Sequence, residues 1–215
     1  MLASVVSKMS ESIESPSSKR QAIVQAATRL FLTHNYRSVS MEKIAKAAPV
    51  SKATLYNHFT GKPQLLAAVV SELCNSLLQT MTQTLSEEDD AEQTLQQIAA
   101  SAVELMYSPD GLAIYRLVIA EIYAFPELGQ VVYDNGPRLA LTQLEIYLRQ
   151  LQNSGCFNIP DTYFSADAFF SLLKGDLHFR CLLGIQDAPT EDEKNRLIES
   201  VTRFYLRGIM YAGQS

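Results

Sequence analysis

Cysteine, histidine, glycine and proline are all scarce in this chain, and each scarcity removes a class of answer. Cys74, Cys156 and Cys181 are odd in number and far apart, which fits reduced thiols better than a disulfide framework. His34, His58 and His178 are equally dispersed, no H-E-x-x-H or paired C-x-x-C occurs, and G-x-S-x-G and G-x-x-x-x-G-K-[ST] are absent. Nothing therefore organises catalysis, a metal or a cofactor. Two alternatives stay open: a metal or acid–base site at Asp176 and His178, and a redox sensor using Cys156 or Cys181. The apolar neighbours Phe157 and Leu182 argue instead for inert buried thiols.

Long apolar runs are missing too. No stretch is long enough to span a bilayer, and Leu2 to Val6 is too short for a signal peptide, so the expectation is a cytoplasmic protein with no membrane partner. With 9 glycines and 8 prolines in 215 residues and no internal repeat, the apolar residues recur at helical rather than alternating spacing. The fold class expected is all-α, with enough apolar content, 47%, to bury a substantial core.

Basic residues are few overall but unevenly placed. Residues 1–65 carry nine Lys or Arg against three Glu, net +6, while 66–215 carry nine against twenty acidic residues, net −11. An acidic chain thus hides a basic amino-terminal module. Such a module neutralises phosphates and releases counterions, which makes binding to a nucleic acid salt-dependent.

Within that module, Ser40 to Lys62 reads as two short helices joined by a tight turn. Met41, Ile44, Ala45 and Ala48 keep helical spacing, Ser51 suits the N-cap of a new helix, and Leu55 and Phe59 repeat at i, i+4. Lys52, Ala53, Thr54, Tyr56, Asn57 and His58 are left for other faces, where a core helix would carry leucines. A helix-turn-helix works this way: the first helix braces the second, whose amino-terminal residues meet base edges in the major groove.

These residues resemble the signature of the TetR family of transcriptional regulators. The matching positions are Ile44, Ala45, Ala48, Val50, Ser51, Thr54, Leu55, Tyr56, His58, Phe59, Lys62 and Leu65, with Ala22 to Phe31 and Asn35 to Ser40 similar to the family's first helix and its approach to the second. The specific resemblance covers about residues 19–70. Carried onto matching positions, it implies phosphate positioning by Ser40 and Lys62, phosphate or base-edge contact by Lys52 and Thr54, and a place in the DNA interface for Lys43, Ser51 and Ala53. Tyr56 and His58 would anchor phosphates, unless they pack against helix one; Asn57 would read adenine through its amide.

Two positions depart from the family. Ala53 for glycine is mild, because alanine is the better helix former. Pro49 replaces the turn glycine, and a ring that fixes φ near about −65° excludes a left-handed residue there. Either the turn takes another geometry and re-aims the recognition helix, or its neighbours absorb the change; the second is the expectation.

The domains expected are a disordered tail over 1–17, the DNA-binding domain over 18–62 and a helical effector-binding and dimerisation domain over 63–215. Helix one opens at a Ser18–Gln21 capping box. A long helix runs from Pro63 to about Leu85, followed by helices at 91–107, 111–124, 126–152 with a bend near Asn135–Pro137, 162–184 and 191–211. The stripes Ala166, Phe169, Phe170, Leu173, Leu177 and Leu197, Val201, Phe204, Gly208 suit either a monomer core or a dimer bundle. The resemblance favours the homodimer, and hence a near-palindromic double-stranded operator.

Gly111 to Gly208 is similar to the AefR type of carboxy-terminal domain, through Arg116 to Glu121, Phe125 to Leu128, Gly136–Pro137 and Leu177 to Arg180. That likeness implies a domain responding to an effector. Tyr107, Tyr115, Tyr123, Phe125, Tyr147, Phe169 and Phe179 offer aromatic walls, and Arg116, Glu121, His178 and Arg180 offer polar groups, for a small, largely apolar ligand. The function expected is a ligand-responsive repressor; a helical interaction protein with a vestigial DNA-binding module is the remaining alternative.

Overall fold

The computed structural model describes residues 16–84, 90–155 and 157–210. Among them the chain is all helical, as expected: α1 (Pro16–Thr33), a single 3₁₀ turn (Tyr36–Ser38), α2 (Met41–Ala47), α3 (Lys52–His58), α4 (Lys62–Thr84), α5 (Ala91–Tyr107), α6 (Pro109–Glu121), α7 (Glu127–Asn135), α8 (Pro137–Asn153), α9 (Thr162–Leu183) and α10 (Glu191–Met210). Two compact units divide the chain between Leu65 and Leu66. No single helix among the described residues is long and apolar enough to cross a membrane.

In the first unit, α1 buries Ile23, Ala26, Ala27 and Phe31 against Ile44 of α2 and Leu55 of α3. Ser18 lies inside α1 rather than at its start, because the helix already includes Pro16 and Ser17; the rest of the expected tail lies outside the described residues. The 3₁₀ turn buries Tyr36, whose ring stands 5.4 Å from Phe31. Both short helices are capped by serine: Ser40 Oγ accepts from Lys43 N at 3.2 Å and Ser51 Oγ from Thr54 N at 3.0 Å. Each cap satisfies an N–H that the helix cannot pair internally, worth about 1 kcal/mol.

The turn joining α2 to α3 overturns the expectation for Pro49. Ala48 N–H donates to Ile44 O at 2.9 Å and Val50 N–H to Ala45 O at 3.0 Å, a closure that places the intervening residue at positive φ, where glycine is usual. Pro49 sits there at φ 23°, roughly 90° from the value its ring prefers. Glycine-type geometry is kept at the cost of strain, of order 1–3 kcal/mol.

The second unit is built around α5, which packs against α6, α9 and α10. Its core takes in Leu95, Ile98 and Ala102 of α5, Leu144 and Leu148 of α8, and Phe169 and Leu173 of α9. Tyr205 of α10 packs its ring 4.9 Å from Phe169, and its hydroxyl donates to Ser165 O at 3.1 Å. The expected bend near residue 136 is a full break: Gly136 ends α7, and Pro137 opens α8 at the position where a missing N–H costs nothing. Thr190 and Glu193 form the expected capping box ahead of α10, Thr190 N–H donating to Glu193 Oε2 at 2.8 Å.

Helix α9 is interrupted. Gly175 takes φ 48° and ψ −158°, a region open to glycine almost alone. A break of this kind frees main-chain carbonyls inside the unit, and the Tyr107 hydroxyl meets them, 3.0 Å from Leu173 O and 2.9 Å from Lys174 O.

Candidate nucleic-acid interface and effector cavity

Helix α3 buries a single side chain, Leu55. Lys52, Ala53, Tyr56 and Asn57 are exposed, while Thr54 and His58 are half-buried. Tyr56 is 44% exposed, so its side chain is only partly covered within the chain. A short helix with one apolar anchor and a solvent-facing amide, phenol and ammonium is shaped for contact with a polar surface.

Several of the expected contact residues already have partners within the protein. Lys52 Nζ lies 2.6 Å from Glu42 Oε1, both side chains more than half exposed; the hydrogen bond from Lys52 holds the Glu42 carboxyl below the usual carboxylate range. Lys43 Nζ donates to Ser38 O at 2.8 Å. Ser40 and Ser51 spend their hydroxyls on caps. Lys62 is half-buried, donates to Tyr36 O at 2.8 Å and stands 4.3 Å over the Tyr36 ring, which makes it a tie at the start of α4.

The second unit contains a partly open cavity of about 100 Å³. Val70, Leu73, Cys74 and Leu77 of α4, Ile114 and Tyr115 of α6, Ala140 and Leu141 of α8, and Asp167, Phe170 and Lys174 of α9 line it, with Leu105 and Met106 of α5 and Val132 of α7. Burial pushes the Cys74 thiol up to about 11, far from the thiolate that reacts with oxidants. Cys181 is fully buried, and burial raises it too; Cys156 lies outside the described residues.

Of the residues expected to form the pocket, only Tyr115 lines this cavity. Tyr107 is buried, with its hydroxyl on the α9 break, and burial raises it to about 12. Phe169 and Tyr147 belong to the core. Arg116 caps the end of α9, donating to Leu182 O at 3.0 Å and Cys181 O at 2.6 Å. Tyr123 is 99% exposed; Glu121 and Phe125 are half-buried outside the cavity. Phe179 is exposed, and Arg180 pairs with Asp176 at 2.9 Å. His178 is buried edge-on between Tyr107 and Tyr115, with ring centroids 5.4 and 5.3 Å away. It does not meet Asp176, and no cluster of metal-ligating side chains exists among the described residues.

Sequence reasoning missed the aliphatic walls because leucines at helical spacing read as core whether they face a neighbour or a void. It also missed Lys174, for which a signal was available: the one cation between Ala166 and Leu177, a stretch that carries the apolar stripe of α9.

The expected dimer stripes are also reassigned. Ala166, Phe169, Phe170, Leu173 and Val201 are buried within the chain itself. Among the described residues, the large hydrophobic side chains left exposed on α9 and α10 are Tyr163, Phe164, Leu172, Phe179, Leu183 and Phe204.

Comparison with known proteins places both halves. Residues 23–69 match the bacterial regulatory proteins of the tetR family, and residues 93–211 match the AefR-like transcriptional repressor carboxy-terminal domain. The uncharacterised helix-turn-helix transcriptional regulator YvkB of Bacillus subtilis is 26% identical over 90% of this chain and 97% of its own. A TetR-family regulator from Mesorhizobium loti superposes with TM-score 0.77 at 28% identity, covering 91% of this chain and 98% of that one. The flavonoid-responsive regulator FrrA superposes with TM-score 0.72 at 28% identity over 92% of this chain and all of its own.

Proposed function

Because the chain belongs to the TetR family of transcriptional regulators, we propose that it is a dimeric, ligand-responsive repressor of a near-palindromic operator, acting in the cytoplasm. The observation that carries the reading is α3, which anchors itself through Leu55 alone and presents Lys52, Ala53, Tyr56 and Asn57 outward. Lys52 and Thr54 approach phosphates or base edges, Tyr56 and His58 anchor the backbone, and Asn57 reads an adenine edge. Two copies related by a two-fold axis place their recognition helices about 34–36 Å apart or a multiple of it.

The exposed apolar set on α9 and α10 supports the homodimer, since side chains of that size left in water favour association. The cavity supports a ligand response of the kind that FrrA's description names. Its α4 wall belongs to the helix that begins at Lys62. An effector seated there shifts α4, changes the separation of the two recognition helices and lowers operator affinity.

Selection of bound DNA from a random pool tests the reading. An enriched inverted repeat is expected, with Asn57→Ala relaxing preference at one base pair per half-site and Lys52→Ala weakening all sequences alike. Recovery of no motif would remove the regulator assignment.

A further inference from the structure

We infer that the cavity of the second unit admits a small amphipathic acid, its carboxylate paired with Lys174 and its hydrocarbon body against α4 and α6. The inference deepens the ligand-responsive reading above and rests on it.

The walls are apolar on most sides, through Leu73, Leu77, Ile114 and Phe170. Two charges interrupt them, Asp167 and Lys174, both on α9. They are not equivalent. Asp167 is exposed, whereas Lys174 is half-buried, and no ion pair joins them. The Lys174 ammonium has neither a hydrogen bond nor a salt bridge among the described residues. A cation kept at an apolar wall gives up part of its hydration and has only the unpaired charge of Asp167 in return; a carboxylate entering the same space supplies a charge-assisted bond that water can no longer supply in full.

Burial moves the lysine in the same sense, holding it below the usual lysine range, with Asp167 acting weakly the other way. A cationic ligand would have to use Asp167, which solvent already satisfies. Size sets the second limit. At about 100 Å³ the space is smaller than the roughly 150 Å³ cavity that accepts benzene, so the buried part of the ligand is a short chain or part of a single ring. Lys174 immediately precedes the Gly175 break, so an occupant held by its ammonium would sit beside the point where α9 is interrupted.

Titration calorimetry on the full chain with hexanoate, benzoate, hexanamide and hexylamine tests this. Hexanoate or benzoate is expected to bind about tenfold or more tightly than hexanamide, the ratio set by a hydrogen bond to a charged group. Lys174→Met is expected to bring acid and amide within about twofold of each other at an unchanged unfolding midpoint, and Lys174→Arg to keep the acid preference. Preference for hexylamine, binding of neither acid, or an acid preference that survives Lys174→Met would overturn the inference. Gel shifts on the selected operator separate it from the regulator reading. Acid that binds through Lys174 yet leaves the operator complex intact upholds the anchor and defeats the ligand response.

Discussion

Lys52, the first residue of the recognition helix, is clamped 2.6 Å from Glu42 of the bracing helix. The pair links α3 to α2 at the surface, and on the proposed reading it occupies an ammonium that a phosphate would otherwise take. If Lys52 meets a phosphate as proposed, DNA must displace Glu42 before it can contribute. Glu42→Gln is therefore expected to strengthen binding to all sequences and to steepen the salt dependence by about one for each additional phosphate neutralised. Salt titrations of both proteins measure it, and an unchanged slope would mean that Lys52 faces no phosphate.

Pro49 carries a second expectation. Glycine at this position would relieve the strained φ of 23° and supply the N–H that the turn lacks, against an unfolded chain made freer by loss of the ring. Strain and hydrogen bond outweigh the entropy, so Pro49→Gly should stabilise the protein by about 1–3 kcal/mol. Operator affinity should hardly change, because the turn already has glycine's shape. Chemical denaturation and gel shifts read the two effects separately; destabilisation would place the proline at negative φ in solution.

Gly175→Ala tests the break in α9. A Cβ there meets nothing within 4 Å, so the cost is conformational only, about 1–3 kcal/mol. A smaller loss in urea unfolding would show that α9 can run through residue 175 as regular helix.

His178 gives a pH dependence of defined sign. Burial, then the charge of Lys174, holds its imidazole below the ordinary 6.5, against a hydrogen bond to the Met106 carbonyl. The flanking rings are Tyr107 and Tyr115. On acidification the unfolded chain takes up this proton first, so the stability His178 contributes is present above its unfolded value and is lost as pH falls through the folded one. His178→Phe should flatten the decline of the unfolding midpoint between about pH 7 and 5. Parallel profiles for the two proteins would contradict a buried neutral histidine.

Phe179 is 61% exposed on α9. Phe179→Asp places a charge on the proposed dimer face without touching the core, and should yield a folded monomer with sharply reduced operator binding. Sedimentation of the variant decides; a stable dimer would move the interface elsewhere.

Local chemistry made the DNA-binding unit legible before any coordinates. Ser40 and Ser51 cap helices within three residues of themselves, and the polar character of α3 needs no knowledge of the rest of the chain. The same holds for Thr190 and Glu193 ahead of α10, and for the interruption at Gly136–Pro137. Even Pro49 was identified as the anomalous position, although the direction of the outcome was not.

The amino-acid order alone thus settled the all-helical class, the family and the helix that faces outward, because caps, periodicity and turn residues act over a few positions. Tertiary structure alone decided which apolar stripe is core and which is left bare, as Phe169 and Phe179 show: periodicity gives a side chain a face, and only the neighbouring helices determine whether that face is covered. It also decided that Tyr107 serves the α9 break, that Arg116 caps a distant helix end, and that Lys174 stands beside a void. Each depends on segments dozens of residues apart being brought together, a fact of packing that no local pattern carries.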